Sequence, residues 1–162
     1  MYQMFYNDDQ DKPAQSDMQI QIRNEPFDPW QELVRYQNDG QRQISGFGAT
    51  AVFVGTMRDY NQDEAVCEMT LEHYPAMTER HLKAICGTAQ GKWDLIDVLV
   101  IHRVGIVRPG DPIVLVAVWS SHRKEAFAAS RFIMEDLKSK TPFWKKERLP
   151  NGQRWVEKNT PG

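Results

Sequence analysis

Residues 95–119 read LIDVLVIHRVGIVRPGDPIVLVAVW, two apolar runs parted by a Pro-Gly turn. Leu95–Val104 and Ile113–Trp119 have strand length and are rich in valine and isoleucine, so both are read as strands. The turn at Pro109-Gly110 leaves no room for a helix between them. A parallel pair needs a crossover of a dozen or more residues, so two strands joined this closely run antiparallel. The second run is almost unbroken in its apolar content, which places it centrally in a sheet. Several strands follow one another without a helix between, and the expected class is α+β with a largely antiparallel sheet.

Downstream lies Ser121–Glu147, SHRKEAFAASRFIMEDLKSKTPFWKKE. Ala126, Phe127, Ser130, Ile133, Met134 and Leu137 recur at helical spacing and predict one buried helix face. Ser120 or Ser121 is expected to cap its start, since a serine oxygen accepts from orphan N–H groups of the first turn. Pro142 ends it by lacking an N–H and by forcing Thr141 out of helical geometry. Basic side chains crowd both ends: His122-Arg123 at one, Lys138, Lys140, Lys145 and Lys146 at the other. Lysines in a last turn complement the helix dipole, so a solvated end and an anion site are both open readings. Beyond, Phe143–Glu147 is extended, Asn151-Gly152 signals a hairpin, and Arg154–Val156 returns as a short strand.

Upstream, residues 1–16 are polar and acidic, carry no signal-peptide pattern and are expected to be a disordered tail. Met18, Ile20 and Ile22 alternate as in a strand. Asp28-Pro29 starts a helix whose expected buried face is Trp30, Leu33 and Val34, with Gly40 just beyond it. Ala51–Val54 reads as a buried strand. The glycines at 46, 48 and 55 lack the Gly-Lys-Ser/Thr of a phosphate loop and are read as bulges or close packing. Arg58 leaves that strand either to clamp a phosphate or to pair with Asp59 or Asp63. Residues 60–65 form a polar loop, and Val66–His73 alternates again as a strand. A helix over about Ala76–Gly91 is expected to bury Met77, His81, Ala84 and Ile85.

The 162 residues suit one domain, and 41% hydrophobic content supplies its core. A net charge of -2 disfavours a nucleic-acid binder. No apolar run reaches the length of a membrane span, so no membrane partner is expected. Cys67 and Cys86 lack CxxC spacing and are read as buried structural thiols of a reducing, cytoplasmic compartment. The histidines at 73, 81, 102 and 122 have no metal-binding spacing, so neither a metal nor another cofactor is expected.

Five blocks carry a resemblance: GxxxxFxGxxRD in Gly48–Asp59, LEHYPxMTE in Leu71–Glu79, IHRxGxxxPGD in Ile101–Asp111, SHRxxAF in Ser121–Phe127 and LKxxxPFWKKE in Leu137–Glu147. In this order the chain, over roughly residues 18 to 157, resembles the large, catalytic subunit of molybdopterin synthase, the MoaE family. Where many members carry a glycine in the loop after the Arg, this chain has Asp63-Glu64. The resemblance implies an α/β-hammerhead fold with a small additional β subdomain, the domain spanning residues 17–162. It implies a homodimer that binds two small ubiquitin-like sulfur carriers as a heterotetramer. Each carrier ends in a Gly-Gly thiocarboxylate, whose sulfur moves to cyclic pyranopterin monophosphate to build the dithiolene of molybdopterin. It implies catalytic roles for Lys138 and Lys145, and a substrate pocket of Thr56, Met57, Arg58, His122, Arg123, Lys138, Lys145, Lys146 and Glu147.

These residue types suit that chemistry. Bringing a cyclic phosphate and a thiocarboxylate together requires fixed positive charge in a water-poor pocket. Arg58 and Arg123 fit phosphate through the guanidinium fork, and Lys138 fits the thiocarboxylate oxygen. Lys145 could serve the pterin side or the water that releases the spent carrier, and His122 could move protons or bind phosphate. Sulfur arrives on the partner, so neither cysteine is required. His122 and Lys138 lie about 24 Å apart along one straight helix, at 1.5 Å per residue. Both can touch one small substrate only from different subunits, which predicts a pocket shared across the dimer. The other reading, a non-catalytic dimeric module for a phosphorylated small molecule or a peptide tail, needs the same basic pocket but no reactive lysine.

Overall fold

The computed structural model describes residues 17–39 and 44–156. The expected tail over 1–16 and the stop at Gly40 lie outside the described residues. At the centre stand β6 (Leu95–Arg103) and β8 (Pro112–Ser120), paired antiparallel. On the outer side of β8 runs β2 (Ala49–Thr56), also antiparallel, and on the outer side of β6 runs β1 (Asp17–Arg23), parallel. The order β1-β6-β8-β2 makes β6 and β8 the inner strands, as their apolar runs require.

Both faces of this sheet are covered. Val98 and Val100 of β6 and Val114, Val116 and Val118 of β8 point to one side. They meet Leu82, Ile85, Cys86 and Ala89 of α2 (Pro75–Lys92), and Ala129, Ile133 and Leu137 of α3 (Arg123–Lys140). Leu99, Ile101, Leu115, Ala117 and Trp119 point to the other side and meet Phe27 and Tyr36. Tyr36 belongs to α1 (Pro29–Gln37), capped by Asp28, whose carboxylate accepts from Trp30 and Gln31 N–H at 2.9 and 3.1 Å. The division follows the two-residue period of a strand.

A second sheet has the order β10-β9-β5-β7. It comprises β5 (Glu68–His73), β7 (Gly105–Val107), β9 (Phe143–Leu149) and β10 (Gly152–Trp155), all antiparallel. Met57, Val66, Met69, Leu71 and Val107 form its core. Between the sheets the chain makes a miniature hairpin, β3 (Tyr60–Asn61) with β4 (Glu64–Ala65). Helix α3 ends at Thr141 and Pro142, and β9 begins at once, so the C-terminal turn of α3 lies where the two sheets meet. The α+β class with mostly antiparallel strands is as expected.

The structure corrects several local expectations. In α3, Phe127 is 70% exposed, and Ala129 takes its place on the inner face. Neither Ser120 nor Ser121 is the N-cap; His122 is, with no side-chain capping bond, while Ser120 Oγ donates to the Asp94 carbonyl at 2.8 Å and accepts from His122 N–H at 3.4 Å. In α1, Trp30 and Val34 are exposed, and Pro29 and Tyr36 are buried instead. In α2, Met77 and Ala84 are exposed and His81 is half-buried; Thr78, Leu82, Ile85, Cys86 and Ala89 form the inner stripe. β2 is an edge strand in which Ala51 alone is buried. Residues 60–65 are a hairpin rather than an irregular loop, and residues 105–107 are a strand. Cys86 is fully buried, whereas Cys67 is half-buried. The last hairpin turns on Pro150-Asn151, one residue before the Asn-Gly pair, with Leu149 opposite Gly152. Pro at the second and Gly at the fourth position suit such a turn, and Pro150 has no N–H to give a ladder.

Two of the three glycines of the β2 region are fixed by contact. A β-carbon at Gly48 would collide with the Ser121 carbonyl oxygen, and Gly48 N–H donates to Ser120 at 3.0 Å. A β-carbon at Gly55 would lie 2.7 Å from Val114 Cγ1, at the point where the β2–β8 register shifts.

Candidate active site

A cavity of about 360 Å³ opens at the seam of the two sheets. Each wall comes from a different element. The end of β2 supplies Thr56, Met57 and Arg58, and the miniature hairpin supplies Tyr60 and Asn61. The last turn of α3 supplies Met134, Leu137 and Lys138, β9 supplies Phe143, Lys145 and Glu147, and β6 supplies His102. Met69 and Leu71 of β5 make the remainder largely apolar. The strand period puts Lys145 and Glu147 on the cavity side of β9, and it turns Lys146 away, where its Nζ lies 5.6 Å from the Trp155 ring centroid.

The electrostatics of the cavity are set by burial. Lys145 has its pKa held below the ordinary lysine value, first by desolvation and then by the charge of Lys138; Glu147 opposes both. Two amines thus share one partly apolar space, which makes the neutral form of Lys145 easier to reach than in a free lysine. His102 is buried, and its ring stacks flat on Phe143 with centroids 4.0 Å apart and planes within 10°. Desolvation foremost, with the charges of Lys145 and His73, pushes its pKa down to about 4, against the hydrogen bond to the Arg103 carbonyl. That bond, 2.7 Å from Nδ1, puts the proton of the neutral ring on Nδ1 and leaves Nε2 as an acceptor.

Glu147 is buried and both its oxygens are engaged. Oε1 accepts from Asn61 Nδ2 at 2.6 Å, and Oε2 accepts from Arg154 Nε at 2.8 Å. Of the expected pocket residues, the structure therefore brings together Thr56, Met57, Arg58, Lys138, Lys145 and Glu147. It places His122 and Arg123 elsewhere, both exposed at the start of α3, about 24 and 22 Å from Lys138 along the helix at 1.5 Å per residue. His102, Asn61 and Arg154 are contributors that the sequence reading passed over. Strand parity from Val98 and Val100 to His102 was the available signal for the first, and the pairing of Glu147 with Arg154 across the last turn for the third. Among the described residues no group of three or more His, Cys, Asp or Glu side chains is placed to hold a metal ion.

A family model described as MoaE protein matches residues 22–140. The chain belongs to the MoaE family. Among its relatives, a Molybdopterin synthase catalytic subunit from Pasteurella multocida is 50% identical over 145 residues, which is 88% of this chain and 91% of the relative. A protein of the same name from Ralstonia nicotianae is 54% identical over 138 residues, 85% of this chain and 76% of the relative. Among solved structures, that of molybdopterin synthase from Staphylococcus aureus superposes with a TM-score of 0.73 at 31% identity, covering 84% of this chain and 95% of that one. The MoaE match ends at residue 140, so Lys138 lies within it and Lys145 beyond, while the Pasteurella relative extends over most of both chains.

Proposed function

We propose that this MoaE-family chain is a sulfurtransferase subunit that converts cyclic pyranopterin monophosphate to molybdopterin. The sulfur donor is the thiocarboxylate at the Gly-Gly C-terminus of a small ubiquitin-like carrier. The observation that carries the reading is the convergence of Lys138 and Lys145, from α3 and β9, on one partly apolar cavity with Arg58 at its edge. Two anions must meet there, and a cation in a low-dielectric space stabilises them far better than in water.

The roles divide by position. Lys138 holds the thiocarboxylate oxygen while the sulfur attacks an oxygen-bearing substrate carbon; the C–S bond forms as that carbon's C–O bond breaks, and the oxygen leaves with the electron pair and takes up a proton. Lys145, its pKa lowered by burial and by Lys138, takes a proton from the water that cleaves the resulting thioester and releases the carrier as a carboxylate. Two such transfers complete the dithiolene. Arg58, with Thr56 and Met57 beside it, receives the phosphate end. His122 and Arg123 serve the pocket of the neighbouring subunit, so the working unit is a homodimer carrying two small subunits, in the cytoplasm. Lys146 lies on the far side of β9 and acts at the rim rather than on the reacting atoms.

The test is to incubate the chain with thiocarboxylated carrier and cyclic pyranopterin monophosphate. Dithiolene product is expected; saturable binding of both without product would leave a non-catalytic binding module and overturn the proposal.

A further inference from the structure

The hairpin β3–β4 forms one wall of the cavity, yet its own turn works against it. Gln62 and Asp63 have φ of 50° and 63°. Two consecutive left-handed residues are the requirement of a tight hairpin turn that Asn-Gly or Gly-Gly meets at little cost, and Gln-Asp does not. Two paired positions, Tyr60 with Ala65 and Asn61 with Glu64, are too few to hold such a hairpin by themselves. Its base is tied, by Val66 N–H to the Asp59 carbonyl at 2.8 Å and Cys67 N–H to the Arg148 carbonyl at 2.9 Å. Its tip is held by two side chains from the second sheet, Arg154 and Glu147. Arg154 donates through Nε to Glu147 at 2.8 Å, through Nη2 to the Asn61 carbonyl at 2.9 Å, and through Nη1 to Glu64. Asn61 Nδ2 closes the circuit on the other oxygen of Glu147 at 2.6 Å.

We propose that Arg154 is a positioning residue: through Glu147 it clamps the strained 60–65 hairpin against β9 and so fixes the wall that Tyr60 and Asn61 present to the cavity of Lys138 and Lys145. Only a planar fork with several donors can meet a buried carboxylate, a second carboxylate and a carbonyl at once. The same contact sets the charge beside the amines. Lys145 shares the cavity with Lys138 from α3, His102 from β6, Arg58 from the end of β2, Tyr60 from β3 and Glu147 from its own strand, with His73 of β5 close to His102. Glu147 is the carboxylate among them, and Arg154 offsets it. Without Arg154 the carboxylate acts on Lys145 unopposed and favours its protonated form.

The kinetic arm rests on the sulfur-transfer reading; the structural arm does not. In Arg154→Gln, amide hydrogen exchange over residues 60–66 is expected to quicken at least tenfold, while amides of β6 and β8 keep their protection. In the product assay the same variant is expected to raise KM for the carrier about tenfold and to shift the ascending limb of kcat to higher pH. Arg154→Lys restores the limb, because the positive charge returns, but leaves exchange fast, because one ammonium cannot span the three acceptors. Asp63→Gly, placed in the Arg154→Gln chain, is expected to slow exchange again by relieving the turn. Unchanged exchange at 60–66 in Arg154→Gln would overturn the clamp, as would an equal loss of protection in both sheets. Should the wild-type chain make no product, the functional reading fails, and the exchange measurements still decide the clamp.

Discussion

Burial keeps His102 neutral, with a pKa pushed down to about 4, and this ties folding to pH. An unfolded imidazole takes up its proton near pH 6.5, while the folded one resists until about pH 4. Its effect on stability is therefore absent above pH 6.5 and destabilising below, growing as pH falls through that window. At about 1.4 kcal/mol per pH unit the loss is on the order of 3 kcal/mol. Urea melts at pH 7 and pH 4.5 should show this decline in the wild type, and a clearly shallower one in His102→Phe, which keeps an aromatic ring beside Phe143; equal declines would refute the assignment. At this scale the sequence was informative about chemistry and poor about neighbours. Lys138, Lys145 and Arg58 stood out by type and motif, and the cavity holds all three. His102 did not, because a histidine in a strand says nothing of the Phe143 ring stacked on it from β9, 41 positions later. Glu147 was grouped with the lysines as a pocket residue; the hydrogen bonds that occupy both its oxygens come from elements distant in sequence.

Elements were legible where composition leaves one choice. β6 and β8 declared themselves because strands covered on both faces need continuous apolar runs, and Asp28-Pro29 and Pro142 fix helix ends by backbone chemistry. Helix faces were less legible. Trp30, Val34 and Phe127 fit a helical period yet are exposed, so apolar spacing alone did not tell which stripe meets the sheet. In α2 the stripe was misplaced because Thr78, a polar residue, belongs to it and Met77 does not. The short strands 60–61, 64–65 and 105–107 carry no periodic signal of their own; long-range pairing creates them. At this scale the close contact between Gly48 and Ser121 links the start of β2 to the start of α3. Gly48→Ala should cost roughly 1–3 kcal/mol by overpacking. It should also displace His122-Arg123, lowering turnover of the folded enzyme more than a stability loss alone; a melting curve and turnover both unchanged would count against that link.

The molecule as a whole reads as two sheets with a lysine-bearing cavity at their seam. A single chain builds the lysine end of the pocket and sends His122-Arg123 to the opposite end of α3. That separation is the ground on which a site shared between subunits is proposed. Mixing Lys138→Ala protomers with Arg123→Ala protomers should regain activity in half the sites of each mixed dimer, since one of the two pockets then holds both native residues. Mixed dimers as inactive as their parents would mean that each subunit works alone. The central claim is that Lys138 in the seam acts on the carrier's thiocarboxylate, and a single-turnover experiment tests it most directly. Thiocarboxylated carrier and cyclic pyranopterin monophosphate are mixed with wild-type or Lys138→Ala chain, with carrier binding measured in parallel. The account predicts dithiolene product from the wild type and at least a hundredfold less from a Lys138→Ala chain that is folded and still binds carrier. Turnover by that variant at the wild-type rate would contradict it.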